Sequence, residues 1–454
     1  MRIFSFALVL SACARELPPH AQVVVVADLD VAVPGAVDRL RIDLFDESGA
    51  WFATSDVARP DPRDWPVSFG IWSDEARPSR TIDVRLRAYV DGRTREDRSG
   101  ATLTTGPAPA FEPDPLTTID RIVRISTISD RKTYVRVVLR GSCFGAPARL
   151  GSDPATCIDG ERTLAPVLTT PGDETATQTS EVGTWLAADC SDEGDRICVP
   201  GSATVFGTDS GTGRILRGTS PVRTVGVRTF FIDRYEYTVA RYREALARGY
   251  APITEGLVEN DGPLGDGGRE TSCTWSATRR DRERHPLNCV SFHEARGICL
   301  FEGGDLPTEV QWEHAATSAH RPRKTRFPWG PLRPSCDQAV FGRLPIGSAR
   351  PECGRGTMEP IDRLGDDRTP GGIIGLGGNL AEWVLDDDSV DFDAPCWVDA
   401  PVIEPRCGDP AAPAERGVVR GTSWGSGAQP PTFRTSFRRT SMASLVGFRC
   451  VYPR

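Results

Sequence analysis

The stretch LNCVSFHEARGICLFEGGDLPTEVQWEHAAT, Leu287 to Thr317, carries two helix starts in thirty-one residues. Ser291 with Glu294 three residues on predicts a capping box for one helix, and Thr308 with Gln311 predicts a second. Upstream, TVARYREALARGY predicts another helix, capped by Thr238, with Val239, Tyr242 and Leu246 on one face and Gly249 at its end. Downstream lie long Gly- and Trp-rich stretches with little periodicity, which implies a fold held by turns, cysteines and aromatic packing.

Ordered blocks surround this stretch: ICVPGSATVFG (197–207), FFIDRYEYTVARYREAL (230–246), FPWG from 327, GLGGNLAEWVLDD from 375, VVRGTSW from 418 and VGFRC from 446. With Leu306-Pro307-Thr308-Glu309, Trp312-Glu313 and Ala315-Ala316 they resemble the formylglycine-generating enzyme family, also called the sulfatase-modifying-factor domain. The resemblance implies an α+β domain over residues 184–454, related to the C-type lectin fold and low in regular secondary structure.

Fold does not fix function, so the site is read separately. The family's oxidases hold copper(I) on two cysteines after an RGGSW-type motif, and a soft ion of this kind needs thiolates. Here the first position falls on Ser426 and the second near Pro431, so copper is not expected. Ser426 as a nucleophile would need a base, and no histidine follows His320. His285, His293 and His314 could approach only through the fold; the other reading is a plain loop hydroxyl. The iron chemistry of ergothioneine-type sulfoxide synthases is not expected either, because none of the five histidines forms an HxxxH pair. For calcium the resemblance implies Gly378, Leu380 and Glu382 as ligands, next to Asn379, although Gly375 stands where an Asn ligand belongs. The acidic run Asp386, Asp387, Asp388 could add oxygens; the alternative is a hydrogen-bonded turn beside a solvated loop. Trp424, Ser426, Phe433, Arg434 and Arg438, with Phe437 and Arg439, are residue types that make a binding surface when exposed together. Trp424 reads equally as a core ring.

The N-terminal region has another period. RLRIDLF sets Leu40, Ile42 and Leu44 on one face, TIDVRLRAYV does so with Ile82, Val84 and Leu86, and YVRVVLR with Val135, Val137 and Leu139. Period two, broken by Pro- and Gly-rich turns, predicts an all-β sandwich over 20–142, of immunoglobulin type. Residues 143–183 are expected to be a Cys-bridged segment and linker.

Thirteen cysteines without a CxxC zinc pattern suggest disulfides and an oxidising compartment. MRIFSFALVLSAC resembles a bacterial lipoprotein signal over residues 1–13, with Cys13 as the lipidated residue; an ordinary signal peptide with an incidental cysteine is the alternative. Setting Cys13 aside leaves an even twelve. The family resemblance implies a Cys299–Cys450 bond, and proximity divides the rest into 143 with 157, 190 with 198, 273 with 289, 336 with 353, and 396 with 407. The net charge of −8, with no basic block, argues against nucleic acid. The expectation is an exported protein, lipid-anchored at the cell envelope, periplasmic or outer-membrane-associated in a Gram-negative cell. It would be a non-catalytic module binding a peptide, protein or glycan; the alternative is an active oxidase of the same family with other ligands.

Overall fold

The computed structural model describes residues 21–72, 80–97, 102–104, 108–129, 131–169, 172, 180–208, 219–265, 271–344, 350–409 and 411–454. Residues 1–13, which resemble a lipoprotein signal, lie outside them, Cys13 included.

The alternating strands of the N-terminal region form two sheets over one apolar core. One orders Val67–Trp72, Gln22–Leu29 and Lys132–Leu139, the last two parallel. The other orders Val167–Leu168, Ile119–Ser126, Thr81–Tyr89, Arg39–Phe45 and Trp51–Ala58. Leu40, Ile42, Ile82, Val84, Leu86, Val135, Val137 and Leu139 meet in that core, with Leu44 packed against it. The alternate positions of the second sheet are charged and also buried: Asp43 takes Arg41 at 3.1 Å and Arg87 at 2.5 Å. Period two identified the inward face but not this covered outer one.

The expected Cys-bridged segment after residue 142 packs with the N-terminal sheets, while most of the Thr-rich stretch 169–183 lies outside the described residues. Cys143 and Cys157 are bonded and sit in the N-terminal core, and Val167–Leu168 extends its sheet. Trp185 ends the segment as a wedge, its backbone nitrogen donating to Asp30 O at 2.8 Å. A Cβ on Gly141 would lie 2.4 Å from the Trp185 ring and one on Gly226 2.6 Å away, so both positions need glycine.

The C-terminal region is mostly strands with three helices among the described residues longer than one turn. α1 is Val239–Ala247, α2 Phe292–Phe301 and α3 Glu309–Thr317. Thr308 and Gln311 close a complete capping box on α3. At α2 only half of the expected box forms: Ser291 Oγ accepts from Glu294 N, but the Glu294 carboxylate turns to Ile253 N at 2.8 Å and the Tyr242 hydroxyl at 3.1 Å. A three-stranded sheet orders Arg196–Val199, Phe230–Asp233 and Val451–Pro453. A four-stranded sheet orders Arg434–Arg438, Arg416–Arg420, Ala381–Asp387 and Val446–Gly447. The second carries the loop on which the functional question turns. All twelve described cysteines are paired: 143–157, 190–198, 273–289, 299–450, 336–353 and 396–407.

Candidate functional site: the loop after Arg420

Strands Arg416–Arg420 and Arg434–Arg438 pair in register, and the loop between them holds both positions that would bear thiolates. Gly421 starts it at φ +87°, with the Trp312 ring 3.1 Å from any added Cβ. The Trp424 backbone then bridges two neighbours, its nitrogen donating to Asn379 O at 2.7 Å and its oxygen accepting from Arg343 N at 2.8 Å.

Ser426 is half-buried, and its hydroxyl is spent locally: it accepts from Ser423 N at 3.0 Å and donates to Ser423 O at 3.2 Å. Three of the described histidines are engaged elsewhere. His314 Nε2 faces Pro200 O and His320 Nε2 faces Cys198 O, each at 3.0 Å, and His293 packs edge-on to Phe292. His285 lines a different cavity, with Arg279 and Glu359, so Ser426 is a turn hydroxyl with no histidine among its hydrogen-bond partners. Pro431 is buried, and its carbonyl accepts from Arg420 Nη2 at 3.0 Å. Arg420 in turn pairs with Glu313, which also takes Lys324 at 2.5 Å. A disulfide borders the loop: Gly342 donates to Ser426 O at 2.7 Å and accepts from Cys353 N at 3.1 Å, and Cys353 is bonded to Cys336. The sulfur there is oxidised and is no thiolate donor for copper(I).

The expected binding residues divide. Trp424 is a core ring, 2 % exposed, with Nε1 donating to Ser444 O. Arg434 and Arg439, read as surface arginines, are buried: Arg434 donates to Glu309 Oε1 at 2.9 Å and Ser389 O at 2.8 Å, and Arg439 lies over the Phe292 ring and pairs with Asp387. The reason is acidic partners on other elements, Glu309 on α3 and Asp387 at the end of strand Ala381–Asp387, invisible in the local sequence. Phe433 is half-buried; Arg438 is exposed and pairs with Glu415 at 2.9 Å.

The residues at the calcium position do not fit that ion. Both Glu382 oxygens are taken: Arg449 reaches Oε1 at 2.9 and 2.8 Å and Oε2 at 2.9 Å, and Trp312 Nε1 reaches Oε2 at 2.7 Å. Arg449 also donates to Ile374 O, next to Gly375, so a guanidinium supplies the positive charge there. The acidic run is equally committed, Asp386 to the backbone of Glu309 and Cys407, Asp387 to Arg439, and Asp388 to Ser436. Among the described residues no cluster of three or more His, Cys, Asp or Glu side chains could hold a metal.

What surrounds Arg449 is a set of buried acids. Burial, with the Glu382 carboxylate adding to it, holds Glu236 well above the usual carboxylate range; Asn379 Nδ2 and Leu380 N donate to it. Burial pushes Asp367 from 3.8 up to about 7. Its folded form therefore binds more protons than the unfolded chain between pH 3.8 and about 7, and this contribution to stability falls as pH rises through that window. Asp386, pushed up to about 7 by burial beside Glu309, acts in the same direction, whereas His314, lowered to about 4 by burial, acts oppositely. Asp367→Asn keeps an acceptor for Gly377 N and removes the titration. The difference in melting temperature, variant minus parent, is expected to climb from pH 4 to about 7 and then level; scanning fluorimetry across pH reads it, and a flat difference rejects the assignment.

The fold and the loop together define a domain of few helices and many turns, with Ser426 and Pro431 where the family resemblance expects cysteines. The chain belongs to the family of the Sulfatase-modifying factor enzyme 1-like domain, whose model matches residues 185–453. It is 26 % identical over 301 residues to the Bos taurus protein "Inactive C-alpha-formylglycine-generating enzyme 2", covering 59 % of this chain and 91 % of that one. It is also 26 % identical to the formylglycine-generating enzyme of Thermomonospora curvata, over 56 % of this chain and 92 % of that one. A third relative is the hercynine oxygenase of Mycolicibacterium smegmatis, 30 % identical over 54 % of this chain and 57 % of that one. Among solved structures, PvdO from Pseudomonas aeruginosa matches 57 % of this chain and 94 % of its own at 20 % identity, with a TM-score of 0.43.

Proposed function

We propose that this chain is a non-catalytic member of the family, exported and anchored through a lipid on Cys13, that binds a peptide or glycan at the cell envelope. The observation that carries the reading is the loop chemistry: a self-satisfied Ser426 hydroxyl and a proline stand where copper(I) would need two thiolates, and the bordering cysteines are bonded to each other. Six disulfides suit an oxidising compartment, and among the described residues no helix is long and apolar enough to cross a membrane. With Trp424 and Arg434 in the core, the binding face is the outer rim of the loop, Ser426 and Phe433 with Arg438 beyond them.

The test incubates pure protein with copper(I) and a cysteine-containing peptide while following oxygen uptake and peptide mass. The expected result is no uptake and an unchanged peptide; turnover with stoichiometric copper rejects the non-catalytic reading. Mass spectrometry of the mature N-terminus, from material expressed in a double-membraned bacterium, checks the anchor. A diacylglyceryl cysteine at position 13 is expected, and an unmodified N-terminus beyond it rejects the anchor.

A further inference from the structure

We propose that the cavity between the turn at 279–285 and the turn at 359–363 is a binding site for a small phosphate-monoester dianion. It has a volume of about 620 Å³ and is lined by four arginines, Arg279, Arg280, Arg284 and Arg363, with His285 among them. Four carboxylates also line it, Asp281, Glu283, Glu359 and Asp362, so the sign of the site depends on how each is paired. Glu283 is held by Arg243 at 3.0 Å and Glu359 by Arg343 at 2.8 Å, and neither of those arginines lines the cavity. Asp362 is paired with Arg284 at 3.0 Å. The side chains of Arg279, Arg280 and Arg363 make no hydrogen bond or ion pair among the described residues, and Asp281 alone remains to oppose them. Four guanidiniums and four carboxylates line the cavity, but two of the carboxylates, Glu283 and Glu359, are neutralised from outside it, so the lining guanidiniums outnumber the carboxylates left to oppose them by two. Guanidinium forks on a concave wall match the paired oxygens of a tetrahedral oxyanion, and an excess of two selects a dianion over a monoanion.

The wall is built rather than draped. Arg282 points inward and donates to Asn260 O at 2.9 Å and to Cys273 O at 3.3 Å, which fixes the middle of the arginine-bearing turn. The carbonyls of Glu283 and His285 accept from Ala240 N and Val239 N at the start of α1, and Ile361 N donates to Arg284 O at 3.0 Å, tying the two turns together. The Cys273–Cys289 bond brackets the segment. His285 Nδ1 is buried and without a hydrogen-bond partner, so the ring has a donor or acceptor in reserve beside the arginines. The site does not depend on whether the loop around Ser426 has any activity.

The test uses the full chain and phosphorus NMR of methyl phosphate at pH 8, where that ester is a dianion. Saturable one-to-one broadening is expected, and the double variant Arg279→Ala/Arg363→Ala should weaken binding roughly tenfold or more. Both side chains are exposed and bond to nothing, so the variant should fold, which circular dichroism verifies. Arg333→Ala, an exposed arginine paired with Glu352 elsewhere, should leave the affinity unchanged. Methyl sulfate, a monoanion of the same shape, should displace methyl phosphate only at concentrations roughly tenfold higher. Absence of saturation, an unchanged affinity in the folded double variant, or equal displacement by methyl sulfate would each overturn the proposal.

Discussion

Arg449→Ala is expected to cost about 3–5 kcal/mol of unfolding free energy, because it strands a carboxylate in the middle of the C-terminal domain. Arg449 and Glu382 are both fully buried. The guanidinium makes three contacts to the carboxylate within 2.9 Å and also donates to Ile374 O and Asp233 O. With it gone, Glu382 keeps one donor, Trp312 Nε1, and the neighbouring Glu236 carboxyl has lost the nearest cation that opposed its burial. Arg449→Lys should recover little, since a point charge with three rotatable donors cannot span a carboxylate and two carbonyls on separate segments. Arg449→Met with Glu382→Gln should recover more than half of the loss, because the amide remains an acceptor for Trp312 and no charge is stranded. Urea denaturation followed by tryptophan fluorescence measures all three, provided the m-value is unchanged. A loss below about 1 kcal/mol for Arg449→Ala would mean that Glu382 is solvated in the fold, contrary to the buried ion pair described.

This network also marks where sequence reading stops. VGFRC and GNLAEW were recognisable as family blocks, and the helix starts at Thr238 and Thr308 were legible because a cap is a contact between residues three apart. The cysteine pairs were legible where partners were near in sequence, and Cys299–Cys450 through the family resemblance. Arg434 and Arg439 were not, because their burial is decided by Glu309 and Asp387, 125 and 52 residues away. Glu294 was misread for a related reason: the cap would have been local, but Ile253 N and Tyr242 lie closer to the carboxylate in the fold. The Cys143–Cys157 bridge was legible from proximity, but not the pairing of Val167–Leu168 with Ile119–Ser126, which joins residues more than forty positions apart. The arginine cavity had half a signal, the charge-dense run TRRDRERH ending at His285; its other wall, Glu359 to Arg363, is brought there only by tertiary structure.

Removing the Cys299–Cys450 bond should destabilise the protein more than removing any other disulfide in the C-terminal region. The bond joins α2 to the residue before the final strand and encloses a sequence separation of 151, against 17 for Cys336–Cys353. In the chain-entropy model the constraint on the unfolded chain grows with the logarithm of loop length, about 5 kcal/mol for the longer loop and about 3 for the shorter. The folded state adds to the difference: Cys299 and Cys450 are fully buried in a core with Tyr237, Phe448 and Trp383, whereas Cys336 is exposed. Alanine is the appropriate replacement at both ends, because serine would bury a hydroxyl and confound the comparison. The double variant Cys299→Ala/Cys450→Ala should therefore lose about 5 kcal/mol or more, and Cys336→Ala/Cys353→Ala about 3, both read by urea denaturation under oxidising conditions. The backbone around the long-range bond is paired independently, Asp305 N and Val451 N each donating to the other's carbonyl, so the final strand retains a dock and the variant should remain folded enough to measure. Equal losses for the two pairs would show that loop length does not set the stabilisation here, and that residual order in the unfolded chain already brings α2 and the C-terminus together.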